Sequence, residues 1–551
     1  MDDGRLVFSV EPAKAADNPR SSAIPDLRVV TSVLADFGYR PEDVDDWVLD
    51  GGDGAVPGTV GTGGRAVASD VVVGPHCEPG PEFDLLVPTV DEVVTLDGER
   101  RRYTSYSHAA GHVLSAYCTS PFARRREPAF VLVWDDGMFP RLYWVDPEYG
   151  VDNGGHLFRL IGHTYATAVH HFGPLHRELR SDRVDDFSVP EERLACLAPG
   201  KVRESIVTLL SEVFDEELAG GSERALRYRR SVGGFGSAVE PSVPALHRFF
   251  DVTRTRLAGS GHSDEDVLAS VHRFLEDLLV ERLTQRIAAW KGSGAFNLCF
   301  AGSCALNAQW NSALRESPMV DRMWVPPFPD DSGSAIGAAA LGMIRHTGIE
   351  AIEWTVRSGP ELRPTTEVPR GWISAPCTTA ELARVLHETG EPVVVLDGRA
   401  ELGPCALGGR SVLAAATAPR LADRVNDLGH RQHFRPGAPI CVVDEAPAIF
   451  DPGTPDPYRL FDHTVRQDWL RRIPAVVRPD GTARLQTVSV DDNEVLAEIL
   501  TAYHHISGIP VLCGSSGFFR DVASAAAWGG ADRIWSEGTL YQRADSEPEA
   551  P

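Results

Sequence analysis

The sequence predicts an α/β protein, because apolar segments of strand length alternate with amphipathic segments of helix length along most of the chain. The clearest helix is predicted over residues 263–290, where Ser263 can cap the first turn and apolar residues recur on one face. A buried strand is predicted over residues 296–300, and it runs into the tight turn Ala301-Gly302-Ser303. Backbone N–H groups in such a turn can approach a phosphate closely.

The first half of the chain contains further elements in a clear order. They are a strand over residues 6–10, a glycine-rich surface loop over 51–64, a helix that starts near 106, strands over 129–134 and 142–145 joined by an Asp-Asp-Gly hairpin turn, and a helix of mostly small residues over 334–343. The glycine-rich loop lacks the Lys-Ser/Thr pair of a phosphate-binding Walker loop. The small residues of the last helix allow it to pack closely against a neighbour.

The length of 551 residues predicts two or three domains. A helix over 378–389 and a strand over 392–396 open the second folded unit, and strands and helices alternate from there to about residue 543. The expected organisation is a first domain over 1–350, a Pro/Thr/Gly-rich linker over 351–377, a second domain over 378–543 and a disordered acidic tail over 544–551.

The composition argues against several classes of protein. The formal net charge is −25 and the pI is near 5.1, which disfavours binding to nucleic acid or to an anionic membrane. No apolar run reaches the ~18–20 residues that span a bilayer, and the first residues lack the pattern of a signal peptide. The nine cysteines are scattered without a CxxC pair, as is typical of reduced thiols. We therefore expect a cytoplasmic protein.

Two histidines and one acid form a candidate metal site. His108 and His112 are four residues apart in SHAAGHVLSAY, so on a helix both imidazoles project from one face and can chelate one metal ion. Two imidazoles leave a divalent ion under-coordinated, and Asp331, at a loop-to-helix junction, is the candidate third ligand. On the residues alone, a pair of hydrogen-bonded structural histidines is the alternative.

The second domain carries a cluster of arginines. Arg399, Arg410, Arg431 and Arg435 lie in DGRAELGPCALGGRS and HRQHFRPGAP, beside glycine-rich turns in an otherwise acidic protein. Guanidinium groups make fork-like contacts with phosphate or carboxylate, so these segments predict an anion pocket. Ion pairing with acids such as Glu401, or exposure on a solvated surface, is the alternative.

Six longer segments resemble the antibiotic O-carbamoyltransferase family, which includes the nebramycin and 3-hydroxymethylcephem enzymes and their nodulation-factor relatives. In order, they are HAAGHVLSAYCTSPF, FAGSCALNAQWNSAL, PPFPDDSGSAIGAA, GRAELGPCALGGRS, NDLGHRQHFRPGAP and PDPYRLFDH. They run along nearly the whole chain. The sequences GTPDPYRLFDH and WNSALRES look most similar to those of the cephem-type branch.

The resemblance implies two domains with separate tasks. The N-terminal domain would have an actin/hexokinase-like fold and the C-terminal domain a YrdC-like α/β fold. The second domain would convert carbamoyl phosphate and ATP, with Mg²⁺, into carbamoyl-adenylate. The first would bind a divalent metal, expected to be Fe²⁺, and would transfer the carbamoyl group to a hydroxyl of a small-molecule acceptor in antibiotic metabolism. The resemblance leaves a homodimer open.

The resemblance also implies roles for individual residues. His108, His112 and Asp331 match the metal ligands of the catalytic centre. The positions that match nucleotide-binding residues are Gly302, Ser303, Asn307 and Gly333. The positions expected on the carbamoyl-phosphate side are Arg399, Arg410, Arg431, Arg435 and Ser516.

The second domain departs from the family pattern at several positions. An Arg of the GPRALG motif is replaced by Cys405, a family Lys aligns with Gly429, and a family His aligns with Arg478. The CNTSxN segment is shortened and lacks both Asn over residues 513–518. Each lost charge-assisted contact is worth roughly a few kcal/mol. Arg431 and Arg478 are the neighbours expected to compensate.

Family members also begin with a strand and an HDxxA-type turn ahead of the segment that matches residues 6–10. We therefore expect that the first strand is missing from this sequence and that translation starts upstream. Two alternatives to an active O-carbamoyltransferase follow from the departures. One is a same-fold transferase with an altered or partner-supplied donor, and the other is a non-catalytic homologue with a degraded carbamoyl-phosphate site.

Overall fold

The computed structural model describes residues 1–11, 27–52, 58–62, 69–78, 80, 83–172, 200–232, 239–362, 367–428, 437–517, 519–528 and 530–544. The chain divides into two compact units. Unit 1 comprises Met1–Leu6 and Ile24–Trp354, and unit 2 comprises Val7–Ala23 and Thr355–Pro551. Both units mix strands with helices, which confirms the predicted α/β class.

Unit 1 is built around a five-stranded mixed sheet. The strands of this unit are β1 (Trp47–Leu49), β2 (Gly58–Thr62), β3 (Ser69–Val73), β4 (Val90–Leu96), β5 (Glu99–Ser105), β6 (Ala129–Val133), β7 (Arg141–Asp146), β8 (Gly150–His156), β9 (Phe296–Ala301) and β10 (Val320–Trp324). The central sheet has the order β10-β9-β6-β7-β8. β6 is parallel to β9 and antiparallel to β7, which confirms the predicted hairpin. Two smaller sheets have the orders β1-β5-β4 and β2-β3.

The structure describes ten α-helices in unit 1. They are α1 (Arg28–Asp36), α2 (His108–Cys118), α3 (Pro121–Arg124), α4 (Thr164–His171), α5 (Glu204–Phe214), α6 (Glu223–Ser231), α7 (Val239–Leu257), α8 (Asp264–Lys291), α9 (Ala308–Arg315) and α10 (Ser334–Thr347). α8 confirms the helix predicted over residues 263–290, and the Ser263 hydroxyl accepts a hydrogen bond from Asp266 N. The apolar residues of its predicted face are all buried: Val267, Val271, Phe274, Leu275, Leu278, Leu283 and Ile287.

Unit 2 contains an eight-stranded mixed sheet of order β11-β21-β20-β12-β13-β19-β14-β18. The strands of this unit are β11 (Trp372–Pro376), β12 (Val393–Leu396), β13 (Arg410–Ala415), β14 (Ala438–Val442), β15 (Phe450–Asp451), β16 (His463–Val465), β17 (Thr482–Ala483), β18 (Gln486–Val488), β19 (Val511–Ser516), β20 (Arg533–Ser536) and β21 (Thr539–Arg543). β12 is fully buried, as its continuous Val/Leu run predicts.

Helices pack on the unit 2 sheet around a single large apolar core. They are α11 (Thr379–Thr389), α12 (Pro419–Leu428), α13 (Ala446–Ile449), α14 (Glu494–Ser507) and α15 (Val522–Ala527). The helix predicted over residues 378–389 is confirmed as α11. A capping box starts it, because the Thr378 hydroxyl accepts from Glu381 N while the Glu381 carboxylate accepts from Thr378 N.

The strand predicted over residues 6–10 is wrong. The segment makes isolated backbone hydrogen bonds, from Leu6 N to Glu353 O over 2.8 Å and from Ser9 N to Ser358 O over 2.9 Å. Its apolar residues suggest a strand, but a strand also needs a continuous partner, and the described part of the chain supplies only a bridge between Arg5 and Glu353.

Two other segments are more regular than the sequence suggests. Part of the glycine-rich segment predicted as a loop over residues 51–64 forms β2, which pairs with β3. Part of the segment predicted as a linker over 351–377 forms β11, which pairs with β21 at the sheet edge. β11 pairs with a strand distant in sequence, so local composition could not reveal that pairing. β2 and β3 instead form a local hairpin, and the glycine-rich composition of β2 is that of a loop rather than of a strand.

Within the described residues, no helix combines the length and the apolar character needed to cross a bilayer. The eight cysteines in the described part of the chain are all free thiols.

Candidate active site

Unit 1 places the two predicted histidines in a buried helix. All 11 residues of α2 are buried, and it begins at His108. The Nε2 atoms of His108 and His112 face each other over 3.0 Å. Two ring nitrogens at this distance require a proton or another cation between them, because their lone pairs would otherwise repel. The imidazoles therefore share one face of the helix, as their spacing predicts.

α10 brings Asp331 to these histidines. α2 and α10 approach closely because glycines meet at the crossing, where a Cβ on Gly337 would lie 1.8 Å from Gly111 O. The turn that leads into α10 then places Asp331 Oδ1 3.2 Å from His108 Nε2 and 3.6 Å from His112 Nε2. The Asp331 side chain is 74% exposed, so it forms the solvent-facing side of the cluster.

Asp135 completes the cluster, and the sequence does not single it out as a ligand. It follows β6, whose carboxyl end lies beside that of the parallel strand β9. Its Oδ2 is 3.7 Å from His108 Nε2 and 3.8 Å from His112 Nε2, and the side chain is 4% exposed. A signal was available, namely an acid directly after a buried strand, but a hairpin turn explains the Asp-Asp-Gly triplet equally well.

The cluster holds two buried histidines and the buried Asp135 against one exposed carboxylate, that of Asp331. Burial alone would lower the pKa of both histidines, but the facing carboxylates raise the pKa of His108 well above its ordinary value and that of His112 to about 9. Burial would raise the pKa of the carboxyl groups, but hydrogen bonds from the two histidines hold the pKa of Asp135 and Asp331 well below the ordinary value. The arrangement therefore favours a positive charge between the carboxylates.

Asp50 orients His108 through the other ring nitrogen. Its Oδ2 lies 2.6 Å from His108 Nδ1. A carboxylate on Nδ1 fixes the tautomer in which Nε2 presents its lone pair to the cluster. Asp50 follows β1, and its carbonyl oxygen accepts a hydrogen bond from Ser105 Oγ over 3.0 Å. The ring of His76 stacks on His108, with centroids 5.0 Å apart.

The four side chains fit a divalent metal ion. One ligand atom from each of His108, His112, Asp135 and Asp331 lies within 4.8 Å of the others. Two imidazole nitrogens and two carboxylate oxygens form a donor set suited to Fe²⁺, Mn²⁺ or Zn²⁺. The facing Nε2 atoms of the two histidines and the negative charge of the two carboxylates also favour a cation at this position.

The turn predicted to bind a nucleotide lies next to this cluster. Ser303 N donates to Asp135 Oδ1 over 2.6 Å, and Ser303 Oγ donates to Asp136 Oδ1 over 2.7 Å. Gly302 has a φ of 92°, and a Cβ there would lie 2.3 Å from Trp134 O. Only glycine therefore fits at this position without displacing the chain after β6.

Asn307 and Gly333, both predicted to bind the nucleotide, each have a structural reason for their residue type within unit 1. Asn307 Oδ1 caps α9 by accepting two backbone N–H groups, both at 3.2 Å, and its Nδ2 lies 2.8 Å from His272 Nε2. A Cβ at Gly333 would lie 2.2 Å from Phe328 O. Contact of Asn307 or Gly333 with a nucleotide stays a prediction.

Unit 2 contains a small pocket near the start of β13. Its lining residues are Glu401, Pro404, Cys405, Ala406, Arg410, Ser516 and Gly517. Arg410 is buried with its Nε 3.4 Å from Glu401 Oε2. Burial would raise the pKa of Glu401, but Arg410 and backbone N–H groups hold it below its ordinary value. Ser516 Oγ accepts from Ala406 N over 2.8 Å. The ion-pair alternative therefore applies to Arg410, although it still lines the pocket.

The other predicted arginines are placed differently. The guanidinium of Arg399 donates to three backbone carbonyls over 2.8–3.2 Å, and its contact with carbamoyl phosphate stays a prediction. Arg478 is held by Asp462, with Nη1 2.9 Å from both carboxylate oxygens. Four positions singled out from the sequence lie outside the described residues: Gly429, Arg431, Arg435 and Phe518.

Comparison with known proteins matches both halves of the chain. A family model described as Carbamoyltransferase N-terminus matches residues 86–340, and one described as Carbamoyltransferase C-terminus matches residues 383–521. The chain is 46% identical to nodulation protein U of Rhizobium tropici, over 98% of this chain and 93% of the relative. It is 44% identical to nodulation protein U of Bradyrhizobium diazoefficiens, over 100% of this chain and 96% of the relative.

A second group of relatives matches about half of the chain. Identity to the 3'-hydroxymethylcephem-O-carbamoyltransferase of Streptomyces clavuligerus is 36%, over 43% of this chain and 46% of the relative. The predicted nearness to the cephem-type branch is therefore wrong, because the nodulation proteins match with higher identity and along the whole chain. The segments that suggest a cephem-type enzyme are short, local similarities.

Proposed function

The chain belongs to the carbamoyltransferase family, and on this premise we propose that it transfers a carbamoyl group from carbamoyl phosphate, by way of a carbamoyl-adenylate made with ATP, to a hydroxyl group of a small-molecule acceptor. The observation that carries the proposal is the cluster of two histidines and two aspartates, buried except for Asp331, which is hydrogen-bonded to the turn after β9. Carbamoyl transfer from an adenylate needs both a cation site and a place for phosphate, because negative charge develops on the leaving phosphate.

We assign unit 1 to the actin/hexokinase-like folds and unit 2 to the YrdC-like folds. The order β10-β9-β6-β7-β8, in which only β7 runs opposite to the other strands, supports the first assignment. Ligands of open α/β sheets bind at the carboxyl ends of the strands, where Asp135 and Gly302 lie. The large mixed sheet of unit 2 is compatible with the second assignment.

His108, His112, Asp135 and Asp331 would hold the divalent cation, and Fe²⁺ fits this donor set. When bound, the ion supplies positive charge that stabilises the leaving phosphate and acidifies a nearby hydroxyl. Asp50 keeps the His108 ring in the orientation that presents Nε2 to the cluster.

Asp135 connects the cation cluster with the turn proposed to hold the nucleotide. Its Oδ2 faces the histidines, while its Oδ1 accepts the Ser303 N–H. This bridge holds the turn at a fixed distance from the cluster, which orients an adenylate for attack. The transfer step forms a bond between the acceptor oxygen and the carbamoyl carbon and breaks the bond from that carbon to the phosphate oxygen. AMP and the hydroxyl proton leave, and the exposed Asp331 marks the side open to the acceptor.

We assign formation of the adenylate to unit 2, with Mg²⁺ accompanying ATP. Carbamoyl phosphate would be cleaved by water to phosphate and carbamate, and the carbamate oxygen would attack the α-phosphate of ATP and displace pyrophosphate. The pocket beside Arg410 and Ser516 is the proposed place for carbamoyl phosphate. Arg410 shares its charge with Glu401, so a further cation is needed there.

The names of the relatives suggest where to look for the acceptor. One group acts on a hydroxymethylcephem, and the other group is named for nodulation. Because nodulation protein U matches along the whole chain, we place hydroxyl acceptors of the nodulation type before antibiotic hydroxyls.

Pyrophosphate release tests this proposal. The full chain, supplied with Mg²⁺, ATP and carbamoyl phosphate, should release pyrophosphate, and mass spectrometry should then detect a carbamoylated acceptor in a panel of hydroxyl compounds. Omission of carbamoyl phosphate is the control. Absence of pyrophosphate at high enzyme concentration would contradict the proposal.

A second candidate is a transferase that receives its adenylate from a partner or uses a different donor. The Cys at position 405 and the pairing of Arg478 with Asp462 favour it, because each removes a cation from the carbamoyl-phosphate side. It predicts transfer from supplied carbamoyl-adenylate without pyrophosphate release. A non-catalytic homologue predicts neither reaction.

A further inference from the structure

Unit 2 contains a buried guanidinium that the site described above does not use. Arg459 is 4% exposed, and its Nε and Nη2 donate to Gln486 Oε1 over 3.2 and 2.7 Å. No carboxylate in the described part of the chain lies within ion-pair distance of Arg459. A buried cation without a counter-ion is costly, so this position favours the binding of an anion.

The neighbouring arginines do not share this property. Arg410 is paired with Glu401, and Arg478 is paired with Asp462. Their charges are thus already balanced by carboxylates. Among the described residues, the hydrogen bonds of the Arg459 guanidinium go to the amide oxygen of Gln486, which is neutral.

A second guanidinium increases the positive charge at this place. Arg484 donates from Nε and Nη2 to the carbonyl oxygen of Arg459 over 3.2 and 3.0 Å. It too has no carboxylate at ion-pair distance among the residues that the structure describes. Burial lowers the pKa of Arg459, and the charge of Arg484 lowers it further, whereas Cys405, Cys513 and Glu401 raise it.

Arg459 lies close to the pocket that contains Cys405. A Cβ on Gly514 would lie 3.2 Å from Arg459 Nη2, so the guanidinium rests against β19 two residues before Ser516. Ser516 and Cys405 both line the pocket. The unpaired charge is therefore beside the position where the family pattern has an arginine and this chain has none.

We propose that Arg459 supplies the anion-binding charge of this pocket in place of the missing arginine at position 405. The ligand is a small phosphate-bearing anion, and within the proposed function, on which this inference rests, it is carbamoyl phosphate. Bound anion would give Arg459 the counter-ion that it lacks, with Arg484 adding to the attraction.

Equilibrium binding to the full chain tests the assignment. Titration calorimetry with carbamoyl phosphate, and with inorganic phosphate as a stable probe, is compared between the wild type and Arg459→Met. Loss of one charge-assisted contact should weaken binding of both anions by about 10–100-fold. Arg459→Lys should retain part of the affinity. Arg472→Met is the matched control, because this exposed arginine of unit 2 donates to Gly508 O, lies over the Trp469 ring and is not part of the pocket lining, and the variant should bind as the wild type does.

A rescue variant separates anion binding from a structural role. Cys405→Arg in the Arg459→Met background should restore binding, whereas a merely structural loss would not be restored. If Arg459→Met does not fold, Arg484→Met should still weaken phosphate binding. Unchanged affinity in a folded Arg459→Met variant, or no binding of either anion by the wild type, would overturn the assignment.

The test also distinguishes this assignment from the proposed function. Arg459→Met should still transfer a carbamoyl group from supplied carbamoyl-adenylate, because that step belongs to unit 1. If the wild type fails in this transfer, the proposed function fails, while the phosphate titrations still decide the role of Arg459.

Discussion

The two units place opposite surplus charges in their interiors. In unit 1, three carboxylates surround two histidines, so the cluster attracts a cation. In unit 2, Arg459 and Arg484 have no carboxylate at ion-pair distance among the described residues, so the cluster attracts an anion. Buried charges are screened little by salt, and the sign of the surplus therefore favours a cation in unit 1 and an anion in unit 2.

The two sites also differ in how they are held. The ligands of the cation cluster come from α2, from the residues after β6 and from the turn before α10. The packing of α2 against β6 and α10 fixes these elements. The anion pocket depends more on segments between strands, including the chain before β13 and the chain before β16. We therefore expect substitutions in the cation cluster to lower metal affinity alone. Substitutions at the anion pocket should lower both the affinity for the anion and the free energy of unfolding.

The largest effect should come from His112→Ala. Because the variant removes a central ligand of the cation cluster, we expect loss of bound metal and a fall in transfer from carbamoyl-adenylate on the order of 1000-fold. Elemental analysis and a transfer assay measure the two effects. His346→Ala is the control, since that exposed histidine is hydrogen-bonded to Asp46 and is not part of the metal cluster. Full metal occupancy in His112→Ala would contradict the assignment of unit 1.

Asp135→Asn should weaken metal binding on the order of 100-fold, because an amide keeps the hydrogen bond from Ser303 but loses the charge. Asp136→Asn is a closely matched control, since Asp136 accepts from the same residue but lies outside the metal cluster. Competition with a metal-binding dye measures the affinities. Equal losses in both variants would show that the turn, rather than the ligand charge, controls the site.

Arg410→Met should lower the free energy of unfolding by about 2–3 kcal/mol, because Glu401 would stay buried without its cation. The metal content of unit 1 should not change. Urea unfolding and elemental analysis measure these effects, and the exposed Arg420→Met serves as the control. A parallel loss of metal would remove the distinction between the two units.

The smallest effect should come from Asp50→Asn, because Asp50 acts on the metal only through His108. Such a change typically weakens metal binding by about tenfold. Asp46→Asn, at the other end of β1, should leave the metal affinity unchanged. An unchanged affinity in Asp50→Asn would show that the packing of α2 alone orients His108.

Local patterns predicted much of the scaffold. The helix over residues 263–290, the hairpin after β6 and the capped helix α11 follow from periodicity, turn residues and capping residues. β11 was not predictable in this way, because its partner strand lies far along the chain, and β2 was missed because its glycine-rich sequence has the composition of a loop. The segment over residues 6–10 fails for the same reason, since a strand-like pattern does not create a partner strand.

The residue types and spacings alone establish the α/β class, the family resemblance and a pair of histidines on one helix face. Folding adds the groups that complete each site from distant positions. Asp135 joins the histidines because α2 packs against β6, and Asp50 reaches His108 across 58 residues of sequence. Arg459 stands out only once its neighbours are known, because whether a charge is balanced depends on which side chains are buried beside it, and that is set by tertiary packing.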